Sequence, residues 1–110
     1  MLRSREDFAR LGTSGRVRSH RLMIVHYLPN ALDHDRFGIS TSRHLGGAVQ
    51  RNRVRRRVRQ VLRATPGEPG RGWDVLIVAR PACTTATFDE LRVALQRLLA
   101  SLRTPLKTTP

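Results

Sequence analysis

Between Gly46 and Arg63 the chain reads GGAVQRNRVRRRVRQVLR, with seven arginines from Arg51 onward and no acidic residue among them. At about 100° per residue, Val54, Val58, Val61 and Leu62 form one apolar stripe, while Asn52, Arg56, Arg59 and Arg63 gather on the far side with Arg53 beside them. The charges are sorted rather than spread, which predicts a helix with a core face and a cationic face. Arg55 and Arg57 fall on the borders of the stripe, where their aliphatic stems can lie on the core and their guanidinium groups reach outward. Arg51 follows the stripe itself, but from the first turn, where it can overhang the core edge. Gly46 and Gly47 mark the start, and Pro66 ends the helix near Ala64. Like charges at i,i+3 and i,i+4 repel, each close pair costing about 0.2 to 0.5 kcal/mol. Nothing inside the helix offsets that repulsion, so the segment calls for a polyanionic partner. Arginine's planar fork grips phosphate at two points and stacks on bases, which suits nucleic acid better than lysine's point charge.

A chain of 110 residues makes one domain with one modest core. Residues 1–110 are therefore read as a single domain, with 103–110 expected to be a frayed tail. The net charge of +13 is a patch and not a background, because nine positive side chains lie between Arg36 and Gly67, a span without Asp or Glu. Such a patch favours nucleic acid first and an anionic membrane second. The apolar side of the helix is mostly valine, without the Trp or Phe of interfacial anchors, so a membrane partner is not expected. No apolar run reaches signal-peptide or membrane-span length, and a cytoplasmic location is the expectation. The single cysteine, Cys83, excludes an internal disulfide and reads as a small core residue.

Around the arginine helix the other elements follow in order. Ser4 to Leu11 is a short helix with Ser4 and Asp7 as its capping signature, and Gly12 to Arg18 holds an irregular edge strand. Arg21 to Leu28 alternates as a strand, with Leu22, Ile24, His26 and Leu28 on one face and Met23, Val25 and Tyr27 on the other. Pro29 to Asp35 has turn chemistry. In the strand Arg36 to Arg43, Phe37, Ile39 and Thr41 face the core, and Gly38, Ser40 and Ser42 make a flat polar face that can accept a nucleic-acid backbone. Trp73 to Arg80 is a buried strand. Thr87 with Glu90 forms a capping box, opening a helix whose stripe is Phe88, Leu91, Leu95, Leu98 and Leu102. The fold class is thus α+β, a single-layer sheet of about four strands with helices packed on it, in the order αβββαβα. If the strands flanking the arginine helix are parallel, the general rule makes that crossover right-handed.

Protein-borne catalysis has little support. Glu6, Asp7, Asp89 and Glu90 open helices, where negative charge complements the dipole. Asp33, His34 and Asp35 read as a turn rather than a metal site. His20, His26, His34 and His44 match no metal or nucleophile motif. No catalytic residue and no protein-bound metal is assigned. The residues alone leave three readings open: an RNA-binding subunit, a ribosomal-type RNA-binding structural protein and an autonomous nuclease.

The run Gln50-Arg51-Asn52-Arg53-Val54-Arg55-Arg56, preceded by Ser42-Arg43-His44-Leu45-Gly46-Gly47-Ala48-Val49, resembles the signature of the bacterial ribonuclease P protein subunit. The flanks agree: a Phe-bearing first helix, RFGISTSR leading into the motif, and DVLIVARP before an amphipathic last helix. The resemblance implies a left-handed βαβ crossover, the rare exception to the handedness rule. It also implies a noncatalytic subunit of a ribonucleoprotein endoribonuclease, bound one per catalytic RNA, whose RNA uses magnesium to remove the 5′ leader of precursor tRNA. Carried over, Arg51, Asn52, Arg53, Arg55, Arg56 and Arg59 contact the catalytic RNA, and Phe8, His26, Ser40 and Arg43 line a cleft for the leader.

Overall fold

A computed structural model of the chain describes residue 11, residues 15–65 and residues 72–103. Four strands, β1 (Arg16–Ser19), β2 (Met23–Pro29), β3 (Arg36–Ser40) and β4 (Trp73–Ala79), form one sheet in the spatial order β1-β2-β4-β3. β1 and β4 each run antiparallel to β2, whereas β3 runs parallel to β4. The connection between those parallel strands carries helix α1 (Ala48–Ala64), and helix α2 (Phe88–Arg103) follows β4. Short 3-10 turns at Arg43–Leu45 and Pro81–Thr84 precede the two helices.

Strand alternation gives the sheet two unlike faces. Met23, Val25 and Tyr27 of β2 and Val75 and Ile77 of β4 point to one side, where they meet Val54, Val58 and Val61 of α1 and Leu91, Leu95 and Leu99 of α2 in the main core. Burying each of those valines and leucines contributes about 1.5 to 3 kcal/mol, so this layer holds both helices in place. The other face carries Leu28, Leu76 and Val78, packed against the helical residue Leu11 in a smaller cluster. The strand pairing lines up Val17, His26, Leu76 and Gly38 across that second face, and Ser19, Ile24, Val78 and Ser40 in the next row.

One end of the sheet is fastened by a buried carboxylate. Asp74 is fully buried and accepts hydrogen bonds from Arg36 Nε at 2.8 Å, Arg36 Nη2 at 2.7 Å and Asn30 Nδ2 at 3.0 Å. A carboxylate out of water needs such a fork, because an unpaired buried charge is far more costly than a paired one. Asp35 closes the same corner by accepting the Trp73 N–H at 2.9 Å. Gly72 is required there: a Cβ would come within 2.2 Å of the His34 carbonyl oxygen.

Several expectations shift in detail. β3 ends at Ser40 rather than Arg43, because Ser42 turns to cap the Arg43–Leu45 turn, its Oγ accepting the His44 N–H at 3.3 Å. Leu22 is buried although it lies before β2, and its carbonyl accepts hydrogen bonds from Arg80 N at 2.9 Å and Cys83 Sγ at 2.9 Å. Burial pushes the Cys83 thiol above its ordinary pKa, against smaller opposing effects of the Arg80 backbone and the Arg21 charge. Phe88 is exposed, and Ala94 and Leu99 join Leu91, Leu95 and Leu102 in the buried stripe of α2. Asp33 and His34 lie in a bend between β2 and β3, with Asp33 Oδ1 3.0 Å from His34 Nδ1. Residues 1–10, 12–14, 66–71 and 104–110, on which the expected first helix, the start of the expected edge strand, the expected loop and the expected tail fall, lie outside the described residues.

Candidate nucleic-acid interface

α1 begins where Gly46 adopts φ 127°, a left-handed value open to glycine at little cost. Gly47 is its N-cap, and the Gly47 N–H donates to Gln50 Oε1 at 3.0 Å. Val54, Val58 and Val61 are each 1% exposed, so the helix lies with one face sealed on the sheet. The opposite face is thereby committed to solvent. Asn52, Arg53, Arg56, Arg59, Gln60 and Arg63 are all exposed on it.

The border arginines act as expected. Arg55 reaches sideways to donate to Thr41 Oγ1, just past the end of β3, and to Asn52 Oδ1 at 3.0 Å. Arg57, on the other border, donates to the Ala86 carbonyl at 3.2 Å and ties α1 to the start of α2. Arg51 is half-buried at the core edge, its Nε covered and without a hydrogen-bond partner among the described residues. Of the six residues expected to contact RNA, Arg53, Arg56, Arg59 and Asn52 therefore share the open face. Arg55 also pins the helix to the sheet, and Arg51 stands apart.

No arginine of α1 pairs with a carboxylate among the described residues; the ion pairs there are Arg36 with Asp74, Arg92 with Asp89 and His34 with Asp33. Asn52, Arg55, Arg56, Arg59, Gln60 and Arg63 line an open concavity along the flank of the helix. Concave, cationic and uncompensated, it is a surface for an extended anion. Gln60 and Arg63 complete it, and helical spacing is the signal for both, since Arg63 lies one turn beyond Arg59.

His26 and Ser40, expected in the second site, both belong to the sheet face away from α1, with β4 between their strands, about 10 Å apart across the sheet. Between them lie Leu76, Val78 and Gly38, without charged side chains; Leu76 and Gly38 are buried, and Leu76 and Val78 pack against Leu11. His26 Nδ1 is covered and has no hydrogen-bond partner among the described residues. Arg43 lies beyond the strand in the exposed 3-10 turn. Phe8 lies outside the described residues. No cluster of His, Cys, Asp and Glu among the described residues could hold a metal, and no described helix is long and apolar enough to cross a membrane.

This arrangement, a half-clad sheet beside an arginine helix, has close counterparts. A family model for ribonuclease P matches residues 1–103. The chain belongs to the ribonuclease P protein family. The ribonuclease P protein component of Herpetosiphon aurantiacus is 38% identical over 98 residues, covering 89% of this chain and 80% of the relative. That of Roseiflexus castenholzii is 37% identical over 99 residues, covering 89% and 81%. Among solved structures, the Staphylococcus aureus RNase P protein superimposes with a TM-score of 0.81 at 26% identity, over 93% of this chain and 94% of that one. The Thermotoga maritima RNase P protein gives 0.82 at 27% identity, over 94% and 97%. The α+β architecture read from the residues is thus that of the bacterial ribonuclease P proteins. Family membership makes the chain a protein component of an RNA-processing enzyme that acts on tRNA.

Proposed function

We propose that this protein binds the catalytic RNA of ribonuclease P through the exposed face of α1 and holds the 5′ leader of precursor tRNA on the far face of the sheet. The observation that carries the reading is the uncompensated arginine face, which has no carboxylate partner among the described residues. Arg53, Arg56, Arg59 and Arg63 neutralise phosphates of the RNA subunit and Asn52 adds an amide donor, whereas Arg55 and Arg51 set the angle at which the helix meets it. The leader meets this face at the half-buried Ser40 and His26, not at Leu76 and Gly38, which are buried. Arg43, just beyond the end of β3, adds a cation for the leader, and Phe8 is assigned to it from the family resemblance alone.

The protein's part is to offset phosphate repulsion and position the leader; hydrolysis, with magnesium, belongs to the RNA, and one protein serves each RNA. A metal-dependent protein-borne mechanism has no cluster of His, Cys, Asp and Glu among the described residues to start from. The test is reconstitution. Protein alone should leave precursor tRNA intact, and protein added to the organism's own catalytic RNA should raise leader cleavage at low magnesium. Cleavage by the RNA-free protein, or capture of ribosomal RNA in place of the catalytic RNA, overturns the proposal.

A further inference from the structure

The flank of α1 that passes β3 carries a second, chemically different hollow. Phe37 of β3 and Arg59, Leu62 and Arg63 of α1 line a concavity of about 280 Å³. β3 is an edge strand, so nothing on the sheet covers this flank from the outside. Phe37 and Leu62 are partly buried against the main core and are held in place by it. The hollow is therefore a fixed apolar floor between two guanidinium groups one helical turn apart.

Its neighbour decides what it is for. Arg59 and Arg63 also line the polar concavity formed with Asn52, Arg55, Arg56 and Gln60. A phosphate chain following that arginine track runs directly to the apolar hollow. The size fits one planar ring system: small-molecule pockets begin at about 300 Å³, too little for a folded peptide. A base turned out of its stack has both parts the site asks for, an apolar face for Phe37 and flanking phosphates for Arg59 and Arg63. An apolar side chain of a protein partner would fill the floor and leave the two arginines unanswered.

We propose that this hollow takes a single unstacked nucleobase of the RNA bound by α1, with its ring against Phe37 and Leu62 and its phosphates on Arg59 and Arg63. The inference rests on the reading of α1 as the helix that grips the catalytic RNA, and it adds a position at which that RNA must be single-stranded or bulged.

The test compares the full-length protein with Phe37→Ala in binding to the organism's catalytic RNA, at several salt concentrations, with a melting curve for each. Loss of a stacked base weakens binding about 5- to 150-fold. The salt slope should stay that of the unaltered protein, because an apolar contact releases no counterion. Arg63→Gln should instead lower the slope by about one. If Phe37→Ala does not fold, ultraviolet irradiation of the unaltered complex replaces it, and a nucleotide of the catalytic RNA should be found attached at Phe37. Equal affinity of a folded Phe37→Ala, or crosslinks that avoid Phe37, overturns the base site while leaving the arginine helix standing. Failure of the unaltered protein to bind the catalytic RNA overturns both.

Discussion

α1 and α2 have nearly the same length, 17 and 16 residues, and both press an aliphatic stripe onto the same face of one sheet. Their polar faces differ. α2 opens with Asp89 and Glu90, complements its own dipole, and pairs Arg92 with Asp89 within one turn. Its N-terminus is closed by a reciprocal cap: Thr87 N donates to Glu90 Oε1 at 2.8 Å, and Glu90 N donates to Thr87 Oγ1 at 3.1 Å. α1 has no acid in its first turn, a glycine at its N-cap and seven arginines. α2 carries two acids against three arginines, whereas α1 carries seven arginines and no acid. The apolar stripes are thus what folding requires, and the surplus charge of α1 is not answered by any carboxylate among the described residues.

The largest expected effects test the half of this comparison in which the helices are alike. Val58→Glu in α1 and Leu95→Glu in α2 each place a carboxylate at a site that is 1% and 0% exposed, respectively. Both should lose more than about 4 kcal/mol and melt out of the folded state near room temperature. A normal melting curve for either variant would show that its helix is not needed for the core.

Charge reversal tests the half in which they differ. Arg53→Glu with Arg56→Glu removes two exposed cations and puts repulsion in their place, so assembly with the catalytic RNA should fall by roughly a thousandfold or more, following the per-phosphate dependence of such complexes. The fold should persist, since both side chains stand clear of the core. The same reversal at Arg92 and Arg97 of α2 should alter assembly only a few-fold and stability by about 0.5 kcal/mol, the worth of an exposed pair. Equal losses from the two helices would erase the distinction between them.

Much of this was legible in the residues, because a two-faced helix writes its faces at fixed spacing. The Val54, Val58, Val61 stripe and the exposed arginines opposite it follow from periodicity, as does the alternation of Met23, Val25 and Tyr27 in β2. The Thr87 and Glu90 box is equally local. What spacing does not carry is long-range partnership. Asp74 sits in an otherwise apolar strand, and only the fold brings Arg36, 38 residues away, onto it. Phe37 reads as core from its alternation, yet β3 is an edge strand and the residue also lines a hollow. Phe88 has the right spacing for the α2 stripe, but stands at the first residue of the helix and is left partly in solvent. The two candidate RNA surfaces turn out to lie on opposite sides of the sheet, a relation that strand order sets and sequence spacing does not record.

A gentler probe of the uncompensated face is salt. With about six phosphates neutralised, a fourfold rise in salt should weaken RNA binding by roughly a thousandfold, taking the duplex slope as a guide. For a protein with Arg56→Gln the slope should drop by about one. A nearly flat dependence in the unaltered protein would mean that the charge of α1 is not what the RNA meets.

The smallest effect expected lies at the two N-caps, where a single substitution can undo the asymmetry. Thr87→Ala removes a working cap and should lower stability by about 1 kcal/mol. Gly47 already has extended N-cap geometry, φ −75° and ψ −179°, and a Cβ built there meets nothing within 4 Å. Gly47→Ser therefore fits without strain and adds a hydroxyl able to accept the Gln50 N–H, making reciprocal the bond that Gln50 Oε1 already takes from residue 47. The gain is a few tenths of a kcal/mol, seen as a rise of about 1 to 3 °C in Tm. RNA affinity should not change, since the substitution leaves every arginine in place. A fall in Tm would mean that the start of α1 is limited by the glycine-rich approach of residues 46 and 47 rather than by its missing cap.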